Sequence, residues 1–332
     1  MVENKFRAFV VEKKEEEFSA EIKEWYLEDL PQGEVVIKVE YSSINYKDGL
    51  ASIPNGKIVQ SYPFIPGIDL AGIVITSEDA RYQAGDSVII TGYDLGVTHF
   101  GGFSEYARVP ADWIVPLPDG LSLKEAMTIG TAGFTAALAI QRLEENGVKP
   151  ENGPVLVTGA SGGVGSMAIA MLQQIGYEVV ASTGKEEEHD YLRRLGAKEI
   201  LSREQVSPEK IRAIDKQQWA GAIDSVGGNT LAYVLSTAKY GASVAACGLT
   251  GGVNLPTSVF PFILRGVNLL GIDSVYCPSE VRLPLWKRIA TELKPNLLHE
   301  IATEIPLEEL PQTLNAILKG KVRGRTVVKI SN

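Results

Sequence analysis

The stretch Pro154-Val155-Leu156-Val157-Thr158-Gly159-Ala160-Ser161-Gly162-Gly163-Val164-Gly165 decides the fold. Val155, Leu156 and Val157 make the short apolar run that a strand buried on both faces requires, and Thr158-Gly159 ends it in a turn. From Gly163 the period changes. Val164, Ala168, Met171, Leu172 and Ile175 recur at three- and four-residue steps as far as Gly176, which predicts a helix with one apolar face. Gly159, Gly162 and Gly165 therefore stand at a strand-to-helix junction, where they permit a tight turn, a close backbone approach and close helix–strand packing. The helix start offers unpaired N–H groups and a positive dipole end to a pyrophosphate. A turn that binds nothing is the other reading of the glycines, and the order strand, glycines, helix speaks against it.

Outward from this stretch, short strands alternate with helices from Pro154 to about Asp273. Strands are expected at Val155 to Thr158, Tyr177 to Ser182, Glu199 to Leu201, Gly221 to Ser225, Ser243 to Cys247 and Leu269 to Asp273. Six such strands suffice for a doubly wound parallel sheet that binds a dinucleotide. Residues 1 to about 120 read differently, as β-rich runs (Arg7 to Val11, Val35 to Tyr41, Ile68 to Ile75, Ser87 to Ile90, Phe103 to Val109) cut by Gly- and Pro-containing turns. Near Pro118-Asp119-Gly120 the texture turns helical, with Ser122 and Glu125 spaced as a capping box. A helical stretch at Leu307 to Leu318 and a strand at Arg325 to Ile330 follow the sheet domain, and periodicity alone leaves their destination open.

The chain of 332 residues is long for one core, and its 45% apolar and 22% charged residues fit well-buried domains without extensive disorder. A formal net charge of −9 disfavours a general nucleic-acid or anionic-membrane surface and favours a small-molecule partner. Cys247 and Cys277 cannot form a disulfide framework, no apolar run reaches membrane-spanning length, and the N-terminus lacks the apolar core of a signal peptide. The expectation is a cytoplasmic protein.

The second strand's end reads Ala181-Ser182-Thr183-Gly184-Lys185, with no carboxylate before Glu186. An NAD-selective site presents an acid there to the ribose 2′-hydroxyl, whereas hydroxyls and an ammonium suit the 2′-phosphate of NADP. The alternative leaves Lys185 in solvent and turns Glu186 to the ribose. Thr158 to Gly165 also satisfies the glycine signature of short-chain dehydrogenases, but no tyrosine here has a lysine four positions later, so that family is set aside. No Gly-Lys-Ser/Thr follows the glycines, which excludes a P-loop.

Blocks along nearly the whole chain carry a resemblance. They include Ser43-Ile44-Asn45-Tyr46-Lys47-Asp48, Ile65-Pro66-Gly67-Ile68-Asp69, Ile129 to Thr135, Gly159 to Gly165, Trp219 to Asp224, Ala246-Cys247-Gly248-Leu249, Pro261 to Arg265 and Gly324-Arg325-Thr326. The chain resembles the medium-chain dehydrogenase/reductase superfamily, in its quinone-oxidoreductase-like YhdH/YhfP subgroup of acryloyl-CoA reductase type. The resemblance implies an α/β fold: a GroES-like, partly open β-barrel (1–125 and 275–332) around a Rossmann dinucleotide-binding domain (126–274), assembled as a homodimer. It implies NADP contacts at Tyr46, Ser161, Gly162, Gly163, Val164, Thr183, Gly184, Lys185 and Arg203, and further ones at Leu249, Ile263, Ser274 and Arg325.

Zinc enzymes of that superfamily carry Gly-His-Glu where this chain has Gly67-Ile68-Asp69. Its histidines, His99, His189 and His299, lie far apart, so no metal is expected. Without a Lewis acid, reduction of a polarised C=C bond is more accessible than alcohol oxidation: hydride goes to the β-carbon while the carbonyl oxygen takes up charge. Tyr46 is the leading candidate for orienting the reactants or supplying the proton, with Asn45 as a hydrogen-bonding partner. Phe64, Tyr93, Phe100, Phe103 and Phe134 are candidate liners of an apolar cleft, His99 is a candidate substrate contact, and Lys321, Arg323 and Arg325 are a candidate patch for a CoA thioester. Each has a plain alternative, as core, loop or surface residues. The expected function is NADPH-dependent reduction of a short enoyl-CoA such as acryloyl-CoA; NADPH quinone oxidoreduction and a non-catalytic NADP-binding sensor are the alternatives.

Overall fold

A computed structural model describes residues 5–15 and 17–331. The chain divides into two compact units, one built from the segment up to Thr131 together with the segment from Ala302 onward, the other spanning Ala132–Ile301.

The first unit opens with an antiparallel hairpin, β1 (Lys5–Lys14) and β2 (Glu17–Tyr26). β3 (Val35–Ile44) follows, then α1 (Tyr46–Ala51), β4 (Asp69–Ser77), β5 (Ser87–Thr91), β6 (Tyr106–Val109) and β7 (Val115–Pro116). Val35, Ile37 and Val39 alternate inward along β3 while Lys38 faces water, the period-two pattern of a half-buried strand. The sequence pattern placed most of these strands and missed three elements, β2, α1 and the two-residue β7. β2 does alternate, with apolar Phe18, Ala20 and Ile22 set between polar neighbours from Glu17 to Lys23, a period-two signal the reading of the first unit left out. α1 is too short to show a period.

α2 (Leu123–Glu145) contains the unit boundary. Ser122 and Glu125 form the expected capping box, with Ser122 N–H donating to Glu125 Oε2 (2.9 Å) and Glu125 N–H to Ser122 Oγ (3.2 Å). Gly130 breaks the helix with φ 52°, a conformation L-residues rarely adopt.

The second unit is built on six parallel strands: β8 (Val155–Val157), β9 (Val179–Thr183), β10 (Ala197–Ser202), β11 (Trp219–Asp224), β12 (Ala238–Ala246) and β13 (Asn268–Gly271). Their order is β10-β9-β8-β11-β12-β13. Reversal about β8 makes the doubly wound topology with its ligand edge at the strands' carboxyl ends. The helices are α3 (Gly163–Gln174), α4 (His189–Leu195), α5 (Gly228–Thr237), α6 (Phe260–Arg265), α7 (Ser279–Ala290) and α8 (Leu298–Ile301). The chain then returns to the first unit as β14 (Ala302–Pro306), α9 (Leu310–Leu318) and β15 (Arg325–Lys329). There the sheet order is β14-β15-β3-β4-β5-β7, with β6 also on β3. The return falls at Ala302, later than residue 275, because α7 packs within the second unit: its Trp286 is fully buried and stacks on Phe134 of α2 (centroids 5.9 Å apart, 21°).

Candidate functional site

In the second unit the carboxyl ends of β8, β9, β11 and β12 open onto a groove of about 770 Å³. Its shape begins with Thr158, whose Oγ1 donates to the buried Asp224 (2.7 Å) at the end of β11. Asp224 also accepts the Gly227 N–H (2.7 Å), so one carboxylate ties the glycine turn after β8 to the turn that starts α5. Burial holds that carboxyl above its usual range.

Within the glycine turn, Gly162 N–H donates to Gly159 O (3.0 Å), and α3 starts with Gly162 as a cap that offers no side chain to the helix N–H groups. A Cβ at Gly165 would stand 2.5 Å from Gly159 O, so only glycine lets the helix approach this closely. The turn fits a pyrophosphate as the glycine spacing anticipates: bare backbone, a positive helix end, no side chain in the way.

Beside it, Ser161 Oγ and Thr183 Oγ1 are 3.1 Å apart, and Lys185 N–H donates to Thr183 Oγ1 (3.2 Å). The Arg203 guanidinium lies over Gly184. Ser161, Thr183, Gly184, Lys185 and Arg203, all expected from the sequence, line this one groove. The wall contains two cations and no Asp or Glu.

Gly162, Gly163 and Val164 belong to the turn and first helical residues next to it. Leu249 and Ile263 are exposed (62% and 68%), whereas Ser274 is buried and accepts a bond from Thr135 Oγ1 (2.7 Å). The opposite wall, Val226-Gly227-Gly228-Asn229 and Thr250-Gly251-Gly252, was not singled out from the sequence. The signal was there: a glycine pair, Gly227-Gly228 and Gly251-Gly252, in the loop after each of two expected strands.

The first unit holds a second polar cluster, around Asn45 and Tyr46. Asp69 is fully buried and saturated with donors: Ser43 Oγ (2.6 Å), Asn45 Nδ2 (2.8 Å), Thr131 N–H (3.0 Å) and Thr131 Oγ1 (2.5 Å). Arg325, also buried, lies 3.5 Å from Asp69 and donates to Ser43 Oγ (2.7 Å), Asn45 Oδ1 (3.0 Å), Ile44 O (3.0 Å) and Thr128 O (3.1 Å). A Cβ on Gly130 would collide with the Arg325 and Asp69 side chains, which is why glycine breaks α2 at this point.

Asp48 closes the cluster, accepting the N–H groups of Asn45 (2.7 Å) and Ile68 (3.0 Å). Burial, with Asp69 adding repulsion, raises its carboxyl to about 7. Asn45 is thus held at both ends of its amide, and Tyr46, first residue of α1, projects half-exposed (49%) from this anchored base.

For the aromatic candidates and His99 the plainer reading, as core, packing or loop residues, fits what the structure shows, whereas the surface-patch reading of Arg325 is corrected. Phe64, Phe103 and Phe134 are core residues, 2% exposed or less, and Tyr93 stacks on Trp113 (5.7 Å) while Phe100 packs edge-on against Phe64 (5.5 Å). His99 is a loop residue whose ring nitrogens meet Phe100 O (3.1 Å) and Gln32 O (3.2 Å). Arg325 is no part of a surface patch with Lys321 and Arg323, being 2% exposed.

The chain matches the alcohol dehydrogenase GroES-like domain over residues 31–119 and the zinc-binding dehydrogenase domain over residues 163–291. It is 56% identical over 326 residues to the putative quinone oxidoreductase YhfP of Bacillus subtilis (98% of this chain, 99% of the relative). It is 52% identical over 328 residues to the acrylyl-CoA reductase AcuI of Ruegeria pomeroyi (98% and 99%). The chain belongs to the medium-chain dehydrogenase/reductase family, in the YhdH/YhfP group. Among solved members of the family, YhdH from Salmonella enterica in complex with NADP matches with a TM-score of 0.95 at 49% identity, covering 98% of this chain and all of that one. Bacillus subtilis YhfP with NAD bound matches at 0.97 and 56%, with the same coverage.

The zinc in the name of one matched domain has no fitting donor set here. Among the described residues no three His, Cys, Asp or Glu side chains converge, Ile68 is buried and apolar, and Asp69 is taken up by its five partners.

Proposed function

We propose that this medium-chain reductase uses NADPH to reduce an activated C=C bond, with a short enoyl-CoA such as acryloyl-CoA as its substrate, and that it does so without zinc. One observation carries the cofactor reading: Lys185 and Arg203 share a groove with the hydroxyls of Ser161 and Thr183, and no carboxylate lines it. A 2′-phosphate gains charge-assisted bonds there, whereas the ribose 2′-hydroxyl of NADH finds no acidic acceptor. The substrate reading is supported by the acrylyl-CoA reductase relative.

When bound, the reduced dinucleotide supplies a hydride for the β-carbon of the thioester. The chain's own residues do the rest. The turn from Gly159 to Gly165 holds the pyrophosphate, Lys185 and Arg203 take the 2′-phosphate, and the Tyr46 phenol serves as the donor that delivers or relays the proton to the α-carbon. Asn45 acts through Tyr46: with its amide tied to Asp69 and Arg325 it fixes the start of α1. Reducing a C=C bond this way needs charge stabilisation at the thioester oxygen and no Lewis acid.

The test is a side-by-side measurement of kcat/KM for NADPH and NADH with acryloyl-CoA and with a panel of quinones. The proposal expects NADPH and the thioester to be preferred. Robust turnover of quinones with none of acryloyl-CoA would replace the substrate by the one in the Bacillus relative's name; binding of NADPH without turnover of anything would make the chain a sensor.

We also infer a homodimer in the cytoplasm. β13 is the outer strand of its sheet, and Leu269 on it, with Val259, Phe260, Ile263 and Leu264 of the preceding segment, leaves apolar surface exposed. Both cysteines are free thiols, and among the described residues no helix is long and apolar enough to cross a membrane.

A further inference from the structure

Arg282 of α7 is almost wholly buried (1% exposed), and its guanidinium bonds three carbonyls of one short loop. Nη2 donates to Ser274 O (2.9 Å) and Val275 O (3.1 Å), and Nε to Cys277 O (3.4 Å). The group lies over the Phe134 ring, 4.8 Å from its centroid. Other polar groups of the loop are fixed as well: Asp273 Oδ1 accepts the N–H of Val275 (2.8 Å) and of Tyr276 (3.3 Å), and Thr135 Oγ1 donates to Ser274 Oγ. Burying a charge is a weak way to stabilise a fold, since apolar residues of similar volume do as well. A planar fork bonded to successive carbonyls provides something else, one loop geometry.

The loop follows β13. Because all six strands run parallel, it emerges at the same edge as the glycine turn after β8, the edge at which doubly wound sheets bind their ligands. The phosphate-binding side chains stand at the end of β9, with β8, β11 and β12 between them and this loop. A dinucleotide anchored at β9 and at the glycine turn extends along the edge toward β13 with its redox end leading.

We propose that Arg282 is a positioning residue, which holds the 273–278 loop in the conformation that receives the nicotinamide half of the cofactor. This rests on the dinucleotide reading above. The test uses the full chain with Arg282→Met and Arg282→Lys. NADPH and 2′,5′-ADP, which keeps the adenine end with its phosphate and lacks the nicotinamide, are titrated by calorimetry, and amide hydrogen exchange is followed without ligand. Both variants are expected to weaken NADPH on the order of tenfold, the loss of one or two charge-assisted bonds. They leave 2′,5′-ADP unaltered and speed exchange in the 273–278 loop. Lysine does not rescue, because a point charge cannot span three carbonyls.

Unchanged NADPH affinity, or equal weakening of both ligands, overturns the proposal. If the Arg282 variants do not fold, Thr135→Val removes the Oγ1 bond to Ser274 Oγ and is judged by the same contrast between the two ligands. A wild-type chain that binds neither molecule overturns the dinucleotide reading and the proposal with it, a result distinct from selective loss in the variants.

Discussion

Gly184 has no side chain, and the Arg203 guanidinium occupies the space beside it: a Cβ there would stand 2.9 Å from Arg203 Nη2. Gly184→Ala is therefore expected to displace Arg203 and raise KM for NADPH severalfold. Arg203→Ala, which removes a charge-assisted partner outright, is expected to raise it on the order of tenfold while KM for NADH stays within about twofold. Initial-rate kinetics with both coenzymes check this, and equal effects on NADH would take the phosphate-binding role from Arg203. Tyr46 lends itself to a similar separation. If its phenol donates a proton in the reaction, Tyr46→Phe lowers kcat by about 10²-fold or more with little change in KM. A variant with wild-type kcat would leave Tyr46 as a packing or orienting residue.

At the scale of elements, α1 is a short helix set on buried charges. Its Asp48 is raised from 3.8 to about 7 by desolvation, with Asp69 adding repulsion. A carboxyl with a raised folded-state value takes up a proton on folding between those two values. Its contribution is therefore most favourable below about pH 4 and is lost as pH rises toward 7. Asp48→Asn is expected to flatten the fall of thermal stability between pH 4 and 7, whatever its effect on the absolute Tm; an unaltered slope would mean that Asp48 folds in its charged form. Arg325 matters to the same element differently. Arg325→Met leaves Asp69 buried without its counter-ion, a loss of about 3 to 5 kcal/mol, and a denaturant titration is expected to show it as a large drop in midpoint.

For the whole molecule, the exposed edge of β13 is where assembly is to be tested. Light scattering of the wild type is expected to give twice the chain mass, and Leu269→Lys, which places a charge on an edge strand, to shift the population toward monomer. A wild-type monomer would refute the homodimer. A ligand effect accompanies it: because the dinucleotide binds only folded protein, NADPH at about 100 times its Kd adds about 2.7 kcal/mol, visible as a raised melting temperature.

The amino-acid sequence by itself determined the parallel sheet, the glycine turn and the run Thr183-Gly184-Lys185 that lines the groove, because these are local. A strand, a turn and a helix reveal themselves by period, and Thr183-Gly184-Lys185 follows its strand directly. Only the tertiary structure decided what lay far apart in the chain. It joined Asn45, Asp69, Thr131 and Arg325 into one cluster around a buried ion pair, brought the glycines after β11 and β12 to the same groove as those after β8, buried Phe64, Phe103 and Phe134 in the core, and kept α7 with the second unit. Hydrophobic period is a property of neighbours, whereas the pairing of a buried carboxylate with a guanidinium 256 positions later depends on which strands lie side by side, and no short window of sequence records that.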